Sequence, residues 1–164
     1  MEALSITEAK AKLAELKAAG SKIVFTNGCF DIIHKGHKTY LSGAKALGDF
    51  LIIGLNSDAS VTKLKGPGRP VNGEALRASN LLKLSYVDAV TIFSEETPKS
   101  LIDELRPNIL VKGGDYDTDD IVGADRVRAD GGEVVTLPFV SGFSTTKIIE
   151  KQAGKGLTGE KVSD

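Results

Sequence analysis

Short β-branched runs that alternate with amphipathic stretches constrain this chain more than any other feature. KIVFTNG (22–28), DFLIIGLNSD (49–58), VDAVTIF (87–93), PNILVKGGD (107–115) and EVVTLPF (133–139) read as buried strands. GHKTYLSGAKALG (36–48), EALRASNLLKLS (74–85), TPKSLIDELR (97–106) and IVGADRVRADGG (121–132) read as helices, with STTKIIEKQ (144–152) as a last one. Thr97 is placed as a cap, with Pro98 at the first helical position. Strands and helices alternating at this spacing predict an α/β fold, a doubly wound parallel sheet of about five strands with helices on both faces. A further helix is expected within residues 1–21. Ser5 and Glu8 have capping-box spacing, Leu13 and Leu16 share a face, and Gly20 is a stop. The domain is read as residues 22–152, followed by a polar tail, 153–164, that frays.

Charge and cysteine usage narrow the function classes. The 164 residues carry a formal net charge of −1, with both signs interspersed. A protein that grips nucleic-acid phosphates shows a basic surplus, so no nucleic-acid partner is expected. No apolar run approaches the roughly 18 residues of a membrane span, and charges interrupt the N-terminus too often for a signal peptide. Cys29 is alone, so no intramolecular disulfide forms, which fits a reducing cytoplasm. A small buried thiol is its simplest reading.

Ligands of Rossmann-like sheets bind at the carboxyl ends of the strands, where strand order reverses. That places TNGCFDIIHKGH, NSD, KGGD and VSGFSTT at the site. Both histidines of the chain, His34 and His37, lie in the first of these segments, around Gly36. A helix start with a glycine lets a phosphate approach the backbone. Imidazoles three residues apart project from one side of the first turn and can donate to phosphoryl oxygens. Surface decoration or a metal pair is the plainer explanation, but a metal needs a third ligand, whereas strand, turn and glycine agree on phosphate. Ser144, Thr145 and Thr146 taken alone are ordinary N-cap chemistry, which also presents donors to an anion. Residues 61–77 carry Lys63, Lys65, Arg69 and Arg77 against one acid, Glu74. This is either a solvated loop or a Gly/Pro-rich flap that brings cations to phosphates.

FTNGCFDIIHKGH resembles the first signature of the nucleotidyltransferase superfamily, whose His-x-Gly-His handles the α-phosphate of a nucleoside triphosphate. GFSTTKII resembles the second, in which Ser-Thr-Thr opens a helix against the triphosphate. Within that superfamily, LNSDASVTKLKGPGRPVN and LVKGGDYD are similar to the D-glycero-D-manno-heptose 1-phosphate adenylyltransferases, and the likeness covers roughly residues 22–150. It implies an enzyme that makes ADP-heptose and pyrophosphate from ATP and a heptose 1-phosphate. It further implies that His34, His37, Lys65 and Arg77 act on the phosphates. Thr26, Asn27, Gly28, Phe30, Gly36, Gly113, Asp115 and Ser144–Thr146 would hold the nucleotide, and Asp31, Asn56, Asp58 and Lys63 the acceptor. Mg²⁺ would enter with ATP, near Asp31, rather than sit in a protein cage. Relatives carry Glu two residues before the arginine; here that place is Ala75, with Glu74 one earlier. The family commonly forms homodimers, so a homodimer is expected. The domain is often fused behind a sugar kinase; standing alone, it implies a separate one.

Other readings remain beside this one. A cytidylyltransferase acting on glycerol 3-phosphate or a phosphoalcohol shares both signatures. The glycerol 3-phosphate type carries Arg-Thr shortly before its Gly-Ile-Ser-Thr-Thr, where this chain has Phe139-Val140-Ser141 before Gly142. A nucleotide sensor without catalysis would keep the fold but lose members of the His/Lys/Ser-Thr set. KGGDYDTDD fails as an EF-hand, because Asp120 and Arg126 stand where Gly and Glu are required. GAKALGD lacks the Lys-Ser/Thr of a P-loop, and no Gly-x-Gly-x-x-Gly follows the first strand.

Overall fold

A computed structural model describes residues 2–114 and 117–138. In chain order the elements are α1 (Ile6–Ala18), β1 (Ile23–Gly28), α2 (Lys35–Lys45), β2 (Phe50–Asn56), α3 (Asp58–Lys65), α4 (Glu74–Leu82), β3 (Ala89–Phe93), α5 (Lys99–Leu105), β4 (Ile109–Gly113), a 3₁₀ turn (Thr118–Asp120), α6 (Ala124–Ala129) and β5 (Glu133–Leu137). The five strands form one parallel sheet in the order β3-β2-β1-β4-β5. The doubly wound α/β fold is therefore as expected, and strand order reverses between β1 and β4.

Strand periodicity sends alternate residues to opposite faces. Val24, Leu51, Ile53 and Val90 join Tyr40, Leu41 and Ala44 of α2 and Ala78 and Leu81 of α4 in one core layer. Ile23, Phe25, Ile52 and Leu110 join Ala9 and Leu13 of α1, Leu101 and Ile102 of α5 and Val127 of α6 in the other. Ser5 and Glu8 form the anticipated capping box, each side chain accepting from the other's backbone N–H at 3.0 and 2.8 Å. Gly20 follows the helix at φ +92°, a conformation that favours glycine. Just before α1, Leu4 donates to the Val90 carbonyl at 2.7 Å and bridges Thr91, so the N-terminal segment covers part of the sheet edge at β3.

Two elements differ from the sequence reading. Residues 58–65 are helical rather than turn and loop. Ser57 caps this helix, accepting from Ser60 N at 3.2 Å, and Lys63 and Lys65 occupy its last turn. Asn-Ser-Asp is as good a helix start as a turn, and only the packing of Val61 into the core decides. α5 starts at Lys99, with Pro98 in the cap position and Thr97 Oγ1 accepting from Lys99 N at 3.3 Å. Among the described residues no helix is long and apolar enough to cross a membrane. The proposed helix at 144–152 and the tail at 153–164 lie outside the described residues.

Candidate active site

The sheet opens where strand order reverses. β1 and β2 stay in register from Ile23↔Phe50 to Gly28↔Leu55, whereas β1 and β4 are in register only at Val24↔Ile109 and Phe25↔Leu110. Beyond that row a parallel ladder would leave polar groups without partners. Tyr40 of α2 fills the place: its hydroxyl donates to the Val111 carbonyl at 3.3 Å and pairs with Thr26 Oγ1 at 2.5 Å. All three groups are buried, so the tyrosine satisfies both strands at their point of separation. Its role was not legible in the sequence, where Tyr40 counted only as an apolar helix position.

β1 ends at Gly28, and the chain turns through Cys29 and Phe30 to reach α2. Phe30 is buried with φ +44°, a left-handed conformation that costs a non-glycine residue about 1–3 kcal/mol. Its ring packs in the core and meets His37 edge-on, centroids 5.3 Å apart. His34 is the N-cap of α2, and Nδ1 of its ring accepts from Gly36 N at 3.1 Å. His37 accepts from His34 N through its own Nδ1 at 3.3 Å. The two rings stack with centroids 3.9 Å apart and 21° between planes. Each histidine thus does the work of a capping residue for the other's turn. An Nδ1 that accepts carries no proton, so in the neutral ring the proton resides on Nε2. The pair is therefore a set of two Nε2–H donors at a helix N-terminus, where the backbone dipole also favours an anion.

Asn27 is half-buried at the end of β1, and its carboxamide has no hydrogen-bond partner among the described residues. Gly28 and Gly36 are buried, and Gly113 ends β4 on the other side of the opening. Lys63 is exposed and Lys65 half-buried at the end of α3, the helix that follows the carboxyl end of β2. Asp115, Ser144, Thr145 and Thr146 lie outside the described residues.

Several expected ligand contacts are instead internal braces. Arg77, at 0% exposure, donates to the carbonyls of Asn72, Cys29 and Asn56 and to Asp58 Oδ1, each at 2.8 Å. Four of the five guanidinium N–H groups are thereby engaged with protein acceptors. It ties together the ends of β1 and β2, the start of α3 and the loop before α4, rather than reaching for a phosphate. Asp58 is half of that ion pair. The carboxamide of Asn56 donates to Ser60 Oγ at 2.8 Å, so it too is turned inward. The Thr26 hydroxyl is fully buried on Tyr40. Glu74, displaced by one position from the family pattern, accepts from Asp58 N at 2.7 Å and so holds the start of α3.

Asp31 shows the same economy. Its carboxylate accepts from the backbone N–H groups of Val71 and Asn72, both at 2.8 Å, and Arg69 Nε lies 3.4 Å away. The Asn72 carboxamide returns a bond to the Asp31 carbonyl at 2.7 Å. Burial opposes ionisation of Asp31, but these donors outweigh it and hold the carboxyl below the ordinary aspartate range. Asp31 is a clasp on the basic loop. With both oxygens so engaged, it does not fit a role as magnesium ligand, and no three His, Cys, Asp or Glu side chains among the described residues converge to hold a metal.

The chain resembles known proteins over most of its length. The profile of the cytidylyltransferase-like family matches residues 25–151. The bifunctional protein HldE of Azotobacter vinelandii is 57% identical over 139 residues, covering 85% of this chain and 29% of that protein. The HldE of Marinomonas sp. is 58% identical over 140 residues, with the same two shares. The chain thus spans less than a third of the length of these relatives. Among solved structures, the lipopolysaccharide core biosynthesis protein of Thermoplasma volcanium superposes with a TM-score of 0.62 at 28% identity, over 73% of this chain and 98% of that one. A pantoate-β-alanine ligase from Francisella tularensis shares the fold, with a TM-score of 0.57 at 16% identity, over 83% and 66% of the two chains. A match over most of the sequence, on a sheet that opens beside a paired-histidine helix start, makes this chain a member of the cytidylyltransferase-like family.

Proposed function

We propose that the chain is a nucleotidyltransferase that moves AMP from ATP to D-glycero-D-manno-heptose 1-phosphate, giving ADP-heptose and pyrophosphate. The observation that carries nucleotidyl transfer is the histidine pair, with Nδ1 of each ring tied to backbone and the Nε2–H donors set at the head of α2. The sugar assignment draws on the resemblance of residues 55–72 and 110–117 to the heptose 1-phosphate adenylyltransferases. The likeness to HldE and to a lipopolysaccharide core biosynthesis protein supports it.

In the proposed reaction a phosphate oxygen of the sugar 1-phosphate attacks the α-phosphorus of ATP. The new P–O bond forms as the bond to the bridging oxygen breaks, and pyrophosphate leaves with that electron pair. The attacking group is already an anion at neutral pH, so no general base is needed. His34 and His37 donate to the α-phosphoryl oxygens, and Lys65 and Lys63 add positive charge. Asn27, Gly28, Gly36 and Gly113 shape the opening, with Asp115 and Ser144–Thr146 proposed to complete the nucleotide contacts. Arg77, Asp31, Asn56, Asp58 and Thr26 keep these groups in place. Catalysis is then positioning plus charge neutralisation. We place the magnesium ion with the incoming triphosphate. A sugar kinase would supply the heptose 1-phosphate.

Pyrophosphate release by purified protein with Mg²⁺ tests this reading. ATP with heptose 1-phosphate should turn over, and CTP with glycerol 3-phosphate should not. The reverse pattern would keep the chemistry and overturn the substrates, while nucleotide binding without any turnover would overturn the enzyme.

A further inference from the structure

A cavity of about 400 Å³ lies outside the opening of the sheet, between α2 and α4 and beneath the turn after β1. Lys38 lines it from α2, Asn80 and Lys83 from α4 and its C-terminus, and Asn72 and Asp31 form its upper wall. Ile33 and Leu84, packed on the core, give it an apolar floor. Its volume falls within the range of small-molecule sites.

Lys38 and Lys83 are exposed at the rim of this cavity and make no ion pair among the described residues. Asn80 is half-buried and its carboxamide makes no hydrogen bond among the described residues. The one acid in the wall, Asp31, is compensated by two backbone N–H groups and Arg69. Two ammonium groups and a half-buried carboxamide around a concave, partly apolar surface favour an anion that also carries hydroxyls. They disfavour a cation. Lys38 is exposed where its neighbour His37 is buried, so the two side chains of α2 serve different surfaces.

We propose that this cavity is a second ligand site, distinct from the histidine pair, for a small phosphorylated polyol. The phosphate sits between Lys38 and Lys83, and a hydroxyl group pairs with Asn80. The site is wired to the basic loop. Asn72, in its wall, bonds Asp31 through its side chain and accepts from Arg77 Nε through its carbonyl. Occupancy therefore bears on the brace that positions α3 and its lysines. The assignment stands whether or not the reaction proposed above is correct.

The test is a titration of the full isotope-labelled chain with glucose 6-phosphate, followed by NMR at the Asn80 carboxamide and the Asn72, Lys38 and Lys83 backbone amides. Saturable shifts are expected at Asn80 and Asn72, with the His34 and His37 ring signals unmoved. The double variant K38A/K83A removes only exposed side chains and should weaken binding about tenfold or more. Asn80→Asp, which sets a like charge against the phosphate, should do the same. Inorganic phosphate should bind more weakly than the sugar phosphate. Shifts confined to the histidines, undiminished binding by K38A/K83A, or no saturable shift at Asn80 would overturn the site. Equal affinity for inorganic phosphate would overturn the polyol part of the assignment.

Discussion

The turn that carries the two histidines and the segment from Asn56 to Arg77 are built from similar materials and use them in opposite ways. Both follow the carboxyl end of a central strand, and both are rich in polar side chains. In the first, backbone N–H groups bond Nδ1 of each ring, which fixes the neutral ring's proton on Nε2. In the second, Arg77, Asn56 and Asp58 bond one another's neighbourhood. The difference teaches how to tell a ligand group from a brace. A charged side chain at 0% exposure with four protein acceptors has little left to offer a substrate, because every buried donor must be satisfied where it stands.

The sharpest way to break the comparison is to remove the brace. Arg77→Ala leaves three carbonyls and a carboxylate without their donor and should cost about 3–5 kcal/mol of stability, read by urea denaturation. A fully stable variant with altered substrate affinity would make Arg77 a ligand group after all. His37→Ala should show the reverse profile. Pyrophosphate-release turnover should fall about 10²–10³-fold, as for loss of one preorganised donor. The stability loss should stay near the ~1 kcal/mol of a helix cap. Wild-type turnover in this variant would sink the mechanism.

Tyr40→Phe sharpens the account of the opening. Without the hydroxyl, Thr26 Oγ1 and the Val111 carbonyl are buried and unmatched, so a loss of about 1–3 kcal/mol is expected in thermal denaturation. No change would mean that the strands separate for another reason. The smallest effect belongs to Asp31. Its carboxyl is held below the ordinary value of 3.8, so its contribution to stability is fully present above that value and is lost as pH falls through the folded-state pKa. Urea midpoints measured down the acid range should fall more steeply for the wild type than for Asp31→Asn. Parallel curves would remove Asp31 from the clasp.

The architecture was legible because strands, caps and glycine stops are local signals: the Ser5–Glu8 box and the alternation within β1 and β2 need no knowledge of neighbours. The head of α2 was legible for the same reason, since cap, glycine and ring spacing lie within four residues. Arg77 was not. Sequence gives its charge but not its burial, and burial depends on where β1, β2 and the 66–73 loop meet. Helix α3 was missed because Asn-Ser-Asp serves turns and caps equally, and the decision falls to the packing of Val61. The purpose of the Tyr40 hydroxyl depends on a ladder that stops halfway, a non-local fact.

The central claim is that backbone bonds fix both histidines with the proton on Nε2. Long-range ¹H–¹⁵N correlation of the imidazole nitrogens at about pH 8, above the ordinary histidine range, tests it directly. Protonated Nε2 and unprotonated Nδ1 in both rings, with the Nε2 signals moving when a non-hydrolysable ATP analogue is added, is the predicted result. A proton on Nδ1 in either ring, or Nε2 signals indifferent to the nucleotide, would contradict it.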